Sequence, residues 1–450
     1  MTSASFSSRT GAGAVLGVGL LALAAGAPAR AQQAGDVLWR FELGSPFSSD
    51  EVAVGADGTI YAKDNLHLYA LGADGTLRWT RDELGGGQPI DFLDDGAIVT
   101  GLGDTIWALE ADGSTRWMFS YDSNNFQEQI EAGPNVGPDG NIYAVTSTDG
   151  SIGLGAFSLT PQGELRWADP GAPILDEINA GTNGFVSFTS DRLIFPFKTT
   201  APTPPLVYGY DFGGAQTLFV DFTCTSVPRA HPLDFVVLSG QCGIQAIAAD
   251  GTQILWTTPL GDVHLLPQIS ADGTIYTGTW SGPLVALDAD GSILWTSETA
   301  VDVTSVLAVR QDVGRVLYSG ATSFGVPDFV AGVDAATGER LWSFDLMSVD
   351  GFNEFVFSAT APTSPDGTVA YFSTRFAGNG VPGAVYAVQL VGANTCAADL
   401  NGDGMLTDAD YQLFLEAYDA QDPTADCDGN GSLNNRDVVC YRKAFRKGCD

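Results

Sequence analysis

Asp57-Gly58-Thr59-Ile60-Tyr61-Ala62, then Leu68-Tyr69-Ala70-Leu71, then Ala73-Asp74-Gly75-Thr76-Leu77-Arg78-Trp79 is a phrase that the chain repeats. An Asp-Gly turn opens it and a short run of branched and aromatic residues follows. A second apolar run comes next, and a second Asp-Gly turn leads to a Trp. Asp-Gly supplies the positive φ that a tight hairpin requires, and the flanking Ile, Tyr and Leu suit strands. A second copy runs from Asp95-Gly96 through Trp107-Ala108-Leu109 to Trp117, and a third from Asp139-Gly140-Asn141-Ile142-Tyr143-Ala144 to Trp167. Later copies end at Trp256, Trp295 and Trp342.

Two copies are incomplete. The fourth, near Asp191 to Phe222, carries Phe219 where the Trp is due and holds a Pro-rich insertion from Pro196 to Pro205. The eighth reaches Val385-Tyr386-Ala387-Val388 with no Trp strand after it; that strand stands at the other end of the chain as Val37-Leu38-Trp39-Arg40-Phe41. One copy is one small antiparallel sheet, which cannot bury both faces alone. Sheets arranged radially bury their faces against their neighbours and leave only short edges. Turns starting at 57, 95, 139, 191, 234, 272, 314 and 366 recur at roughly 40 residues, the propeller value. The expected fold class is all-β: an eight-bladed β-propeller over 32–392, closed without a covalent link by the N-terminal strand. Asp122 to Glu131 and Met347 to Ser358 interrupt the repeat and are expected to project from one face.

Val333-Asp334-Ala335-Ala336-Thr337-Gly338-Glu339-Arg340-Leu341-Trp342 resembles the tryptophan-docking repeat of PQQ-like, quinoprotein-type propellers, with weaker copies at Ala289 to Trp295 and Ala73 to Trp79. The resemblance spans residues 36 to 392 and implies that each Trp packs between adjacent blades. It implies a fold and not an activity. Quinone-dependent dehydrogenases of this family hold a quinone and calcium beneath two adjacent, disulfide-linked cysteines, with an Asp as base. No adjacent cysteine pair occurs here. Cys224 and Cys242 are expected to form a structural bridge instead, worth about 3 kcal/mol in the loop-entropy treatment. His67, His231 and His264 stand alone, and neither GxSxG nor HExxH is present. The expectation is a non-enzymatic binding module with no catalytic residue. The alternative is an extracellular enzyme, either a quinone-dependent dehydrogenase or a polysaccharide-degrading component of a cohesin–dockerin assembly. Propeller lipoproteins of outer-membrane biogenesis are a further resemblance, against which stands the lack of a Cys after the leader to carry lipid.

That leader is residues 1–31. Arg9, an apolar and small-residue run from Gly11 to Ala27, and Ala29-Arg30-Ala31 follow the order of a secretory signal peptide. The mature chain is therefore expected to be exported, secreted or held at the cell surface, with no membrane-spanning segment. A formal charge of −34 repels nucleic acid and anionic membranes and favours divalent cations. A hydrophobic fraction of 44% is that of a folded chain.

After Leu390 the composition changes, and 393–450 reads as a second domain. Asp399, Asn401, Asp403, Met405, Thr407 and Asp410 stand at positions 1, 3, 5, 7, 9 and 12 of one loop. Asp426, Asp428, Asn430, Ser432, Asn434 and Asp437 repeat the pattern 27 residues on. Oxygen side chains at this spacing, a Gly at position 6 and an apolar residue at position 8 make an EF-hand-like loop. Met405 and Ser432 contribute through the main-chain carbonyl. The expected cofactor is two Ca2+ ions, folding the tail but not the propeller. A helix is expected after each loop, Ala409 to Tyr418 and Arg436 to Phe445, and Tyr411, Phe414, Leu415 and Tyr418 give the first an apolar stripe. Cys427 and Cys440 occupy the repeat positions of Leu400 and Leu413, read as core leucines, which suggests that they touch and pair.

Loop-then-helix, twice, resembles a type I dockerin, and Lys447-Gly448-Cys449 with Cys396 before the first loop resembles its GC-type variant. Cys396 and Cys449 would then clasp the ends, although other pairings among the four tail cysteines stay open. The resemblance implies a protein partner of cohesin type or another surface anchor. It places partner contacts at Asp408, Ala409, Asn435, Arg436, Arg442 and Lys443. The first repeat has Leu415 and Glu416 in place of Arg442 and Lys443, which departs from the symmetry that a reversible, two-way docking needs.

Overall fold

The computed structural model describes residues 33–45, 48–120, 130–146, 156–169, 186–197, 206–218, 228–240, 243–261, 263, 266–279, 282–297, 302–310, 314–321, 329–350, 354–356, 361–376 and 382–390, and in the tail 398, 400, 406, 408–422, 425, 427 and 432–447. The chain divides into Met1–Ala31 and Gln32–Asp450, and the expected leader lies outside the described residues. No helix among the described residues is long and apolar enough to cross a membrane.

Eight four-stranded antiparallel sheets follow one another along the chain. Blade 1 occupies 48–81, blade 2 90–120, blade 3 130–169, blade 4 187–218, blade 5 229–258, blade 6 268–296 and blade 7 302–345. Blade 8 takes three strands from 354–389 and its outermost strand, Val37–Glu42, from the start of the chain. Trp39 lies opposite Ala387 and Phe41 opposite Val385. The ring therefore closes by hydrogen bonds between distant parts of the chain. Gly35 N donates to Gln389 O at 2.7 Å and Leu43 N to Gly383 O at 2.9 Å on either side of that strand.

The order of residues in each blade follows from burial. The middle strands, such as Ile60–Asp64 and Leu68–Leu71, are buried throughout because neighbouring blades cover both faces. Outer strands such as Leu77–Arg81 keep an exposed side. Each apolar cluster straddles two blades: Phe41, Val385 and Tyr371 of blade 8 pack with Val52, Ile60 and Tyr69 of blade 1. The Asp-Gly-Thr signature closes its own turn. Asp57 Oδ1 accepts from Thr59 N at 3.0 Å while Thr59 Oγ1 donates to Asp57 Oδ2 at 2.7 Å, the local bonding for which Asp and Thr are favoured in turns.

The tryptophans dock as the repeat implies. Trp39 donates its indole N–H to Ala73 O at 2.8 Å, Trp79 to Ala111 O at 2.9 Å, Trp117 to Pro161 O at 2.9 Å and Trp167 to Phe212 O at 3.1 Å. Trp256 and Trp295 reach Ala289 O and Ala335 O, both at 2.9 Å. Each acceptor belongs to the last turn of the next blade. Gly75 in that turn has φ +79, and a Cβ there would come within 2.7 Å of the Trp39 ring, so both conformation and space require glycine. One seam differs: Trp342 lies against Gly35, but its buried Nε1 finds no acceptor among the described residues. Phe219, in the Trp position of blade 4, lies outside the described residues.

The two expected insertions are corrected in part. Leu346–Asp350 is a short helix, α1, and Glu354–Val356 is the innermost strand of blade 8. Leu346 and Val356 are buried, so Glu354–Val356 completes the sheet and does not project. Likewise Ile130–Val136 is the innermost strand of blade 3 and takes in Glu131. Residues 121–129 lie outside the described residues. The innermost strands lack the turn signature, which hid them in the sequence.

In the tail, α2 spans Asp408–Asp419 and α3 spans Asn435–Lys447. Its core is Ala398, Phe414, Ala425 and Tyr441, two pairs set 27 residues apart. Phe414 and Tyr441 stack with centroids 4.1 Å apart and planes within 5°. Tyr411, Leu415 and Tyr418 pack around them. The reading of Leu400 and Leu413 as core residues is wrong: both are exposed. Their neighbour Phe414 faces inward instead. The equivalent Cys427 and Cys440 are bonded to each other, with Cα atoms 5.8 Å apart. The bridges proposed for Cys224 with Cys242 and for Cys396 with Cys449 lie outside the described residues.

Candidate functional site

The tail places one carboxylate of each loop at the centre of its fold. Asp410 and Asp437, at position 12 of the two loops, are fully buried. Asp410 Oδ1 accepts from Leu400 N, at position 2 of its loop, at 3.0 Å. Asp437 Oδ2 accepts from Asn434 N at 2.8 Å, while Asn434 Oδ1 accepts from Arg436 N at 3.0 Å. That reciprocal pair is a capping arrangement at the start of α3. Asn434 Nδ2 also donates to Ser432 O at 2.7 Å, tying positions 7 and 9 together. Asp399, Asn401, Asp403, Met405, Thr407, Asp426, Asp428 and Asn430 lie outside the described residues, as do the side chains of Asp408 and Ala409. Among the described residues no group of three or more His, Cys, Asp or Glu is set to hold a metal ion. Of the expected partner residues, Asn435, Arg436, Arg442 and Lys443 lie exposed on α3. Arg442 is already engaged: its Nε donates to the Tyr411 hydroxyl at 2.8 Å and its guanidinium lies 5.7 Å from that ring's centroid.

The propeller holds a constellation that sequence reading missed. Asp64, at the turn between the middle strands of blade 1, is fully buried. It accepts from Leu66 N and His67 N, both at 2.7 Å, from the Tyr69 hydroxyl at 2.7 Å, and lies 2.9 Å from His67 Nδ1. Tyr69 in turn accepts from Gly44 N at 2.8 Å, on the connector that leaves the closing strand. Burial and the neighbouring Asp64 push the Tyr69 phenol up, so it stays protonated. Beside it Lys63 is also buried and donates to Gln88 O at 3.0 Å and Gly101 O at 3.3 Å. The signal in the sequence is the Asp-x-x-His-x-Tyr of Asp64 to Tyr69. The arrangement holds His67 and clamps the ring-closing connector.

His231 is structural. It stacks on Phe235 at 3.9 Å, its Nε2 lies 2.8 Å from Gly273 O, and Nδ1 accepts from Leu233 N at 3.0 Å. Burial lowers its pKa and keeps it neutral. His264 lies outside the described residues. Polar links also join the innermost strands. Asp91 of blade 2 accepts from Val136 N of blade 3 at 2.9 Å, and Asn135 Oδ1 accepts from Val186 N, next to blade 4, at 3.0 Å. Burial pushes the Asp91 carboxyl up.

With the ring and its seams described, the comparisons can be placed on it. The family described as outer membrane protein assembly factor BamB (PQQ_2) matches residues 26–173 and 242–394, well over half of the chain. The chain belongs to this family. The match omits 174–241, which contains the degenerate blade 4, and stops where the tail begins. Among solved structures, BamB from Moraxella catarrhalis is 13% identical, with a TM-score of 0.54 over 79% of this chain and 99% of that one. The quinohemoprotein alcohol dehydrogenase from Comamonas testosteroni is 14% identical, TM-score 0.54, over 79% and 76%. The C-terminal WD40 domain of Sif2 is 11% identical, TM-score 0.55, over 79% and 99%. At these identities the likeness is one of fold. No curated protein sequence matches the chain.

Proposed function

We propose that this protein is an exported, non-enzymatic propeller that binds other proteins and is anchored through a dockerin-like, calcium-dependent tail to a cohesin-type or other surface partner. The observation that carries the reading is the tail's internal symmetry. Asp410 and Asp437 are buried at the same position of two loop–helix units whose Phe414 and Tyr441 stack on each other. A carboxylate kept in so dry a place fits a cation's ligand. Two calcium ions would be held by Asp399, Asn401, Asp403, the Met405 carbonyl, Thr407 and Asp410, and by Asp426, Asp428, Asn430, the Ser432 carbonyl, Asn434 and Asp437. Bound calcium would supply charge neutralisation, linking metal binding to folding of 393–450. The propeller's family is described as an assembly factor, which supports a binding role, and the chain lacks the adjacent cysteines of the quinone enzymes.

Calorimetric titration of the full mature chain with calcium is expected to show two sites. Asp410→Ala with Asp437→Ala should remove both and leave the propeller's melting unchanged. No calcium uptake up to about 1 mM, the weak end of extracellular modules, overturns the anchoring part. Dye-linked alcohol oxidation after reconstitution with quinone and calcium overturns the non-enzymatic part.

A further inference from the structure

In each docking strand with a tryptophan, the residue just before it is the extra residue of a bulge. In blades 1 to 3 it is arginine. Arg78 pairs with Asp57 at 3.5 Å, Arg116 with Asp95 at 2.6 Å and Glu110 at 2.7 Å, and Arg166 with Asp139 at 3.7 Å. In blades 5 and 6 it is Leu255 and Leu294. These two, with Ile254, Ile293 and Leu233, are 44–67% exposed. Ile254 and Leu255 stand on the outer strand of blade 5 and Ile293 and Leu294 on that of the neighbouring blade 6, while Leu233 is in the turn between the two inner strands of blade 5. Thr258 Oγ1 donates to Gly291 O at 2.6 Å beside the Trp256 bond, bringing one outer strand against the turn that leads into Ile293. The His231 contact with Gly273 ties the Leu233 turn to blade 6. Asp250, Asp288 and Asp290 border the stripe in the turns that enter the two strands. On the blade 4 side Arg192 is paired with Asp191 at 2.8 Å.

The complementary surface is on α3. Asn435, Val439, Arg442, Lys443 and Arg446 recur at helical spacing on its exposed face, with Val439 66% exposed among the three cations. The tail's fold does not demand this face. At the matching positions α2 carries Gln412, Leu415, Glu416 and Asp419 and forms the same helix. The chain has 20 Lys and Arg against 54 Asp and Glu, so this basic face is the exception on an acidic molecule.

We propose that the basic face of α3 of one copy docks on the acid-bordered apolar stripe over blades 5 and 6 of a second copy, so that the protein associates head to tail. The valine and the cations' methylene stems cover the leucines and isoleucines, and Lys443 and Arg446 meet the bordering aspartates. The two surfaces differ, so the contact is heterologous and propagates until it closes or is blocked. An external partner that takes α3 competes with it. This goes beyond the reading above and does not depend on which partner the tail takes.

Sedimentation velocity of the full mature chain in calcium, from about 1 to about 100 µM, reads the association. The expected weight rises with concentration at low salt, and affinity falls roughly tenfold or more at about 0.5 M salt, where exposed charges are screened. Leu255→Glu with Leu294→Glu spoils the stripe, and Lys443→Glu with Arg446→Glu spoils the helix; all four are exposed, and each protein should melt like the parent and remain monomeric. Mixed together, they should form a dimer that grows no further, because only one intact stripe and one intact helix face each other. A parent that stays monomeric at about 100 µM, a mixture that does not combine, or association that survives either pair of substitutions overturns the proposal. None of these outcomes touches the calcium titration.

Discussion

At the scale of single residues, the docking tryptophans show that one side chain carries two separable contributions. Trp79 fills the seam between blades 1 and 2 and satisfies Ala111 O. Trp342 fills its own seam, but its buried indole N–H finds no acceptor among the described residues. Replacing a paired donor strands the acceptor, whereas removing an unpaired one relieves a desolvated polar group. Trp79→Phe is therefore expected to destabilise by about 1–2 kcal/mol more than Trp342→Phe, measured by chemical denaturation of both variants side by side. Equal losses would show that ring volume alone matters at these seams.

At the scale of elements, the strand Val37–Glu42 is the piece whose place its own sequence neighbourhood says least about. It pairs with Ala384–Gln389, more than three hundred residues away, and its connector is held by Gly44 N on Tyr69, itself bonded to the buried Asp64. Without it, blade 8 keeps three strands and Ala384–Gln389 becomes an open edge, a template for mispairing. A chain lacking residues 36–42 is expected to lose slow hydrogen exchange across 384–389 and to unfold at lower denaturant, while strands in blades 2 and 3 keep their protection. Undiminished protection at 384–389 would mean that the ring is closed by packing and not by this strand. Asp64 to Tyr69, of which sequence reading singles out only a lone His67, has its meaning at this scale: it fastens the closing element to the first blade.

At the scale of the whole molecule, acidity is distributed in two opposite ways. Several turn carboxylates around the ring are stabilised as anions. Thr59 bonding holds Asp57 below its ordinary value of 3.8, Arg116 does the same for Asp95, and Ser364 for Asp366. Their contribution is present above pH 3.8 and is lost as pH falls through the depressed values. Asp91 has the opposite sign, because burial raises it: its contribution is present below 3.8 and is lost as pH rises through the raised value. Thermal unfolding from neutral pH to about pH 3 is expected to show overall stability falling at the acid end. Over the same range the parent should gain on Asp91→Asn. A parent that loses ground to Asp91→Asn as pH falls would put Asp91 among the stabilised anions instead.

How much of this was legible in the chain differs from part to part. Eight blades, the docking tryptophans and the closing strand follow from local chemistry repeated in register: Asp-Gly for positive φ, a hydroxyl to close the turn, and branched or aromatic runs that one sheet cannot bury alone. The two helices of the tail and its twofold pattern are equally local, since the 27-residue repeat carries Ala398 onto Ala425 and Phe414 onto Tyr441. The innermost strands were not legible, because Glu354–Val356 and Ile130–Val136 are recognised only by the sheet that receives them. The exposure of Leu400 and Leu413 is not legible, because hydrophobicity does not say which side of a loop or a helix its neighbours cover. The change from Arg78, Arg116 and Arg166 to Leu255 and Leu294 is visible in the sequence. That these residues occupy the same bulge, and that the leucines stand exposed on the outer strands of neighbouring blades, was decided by the tertiary structure, which sets one blade against the next.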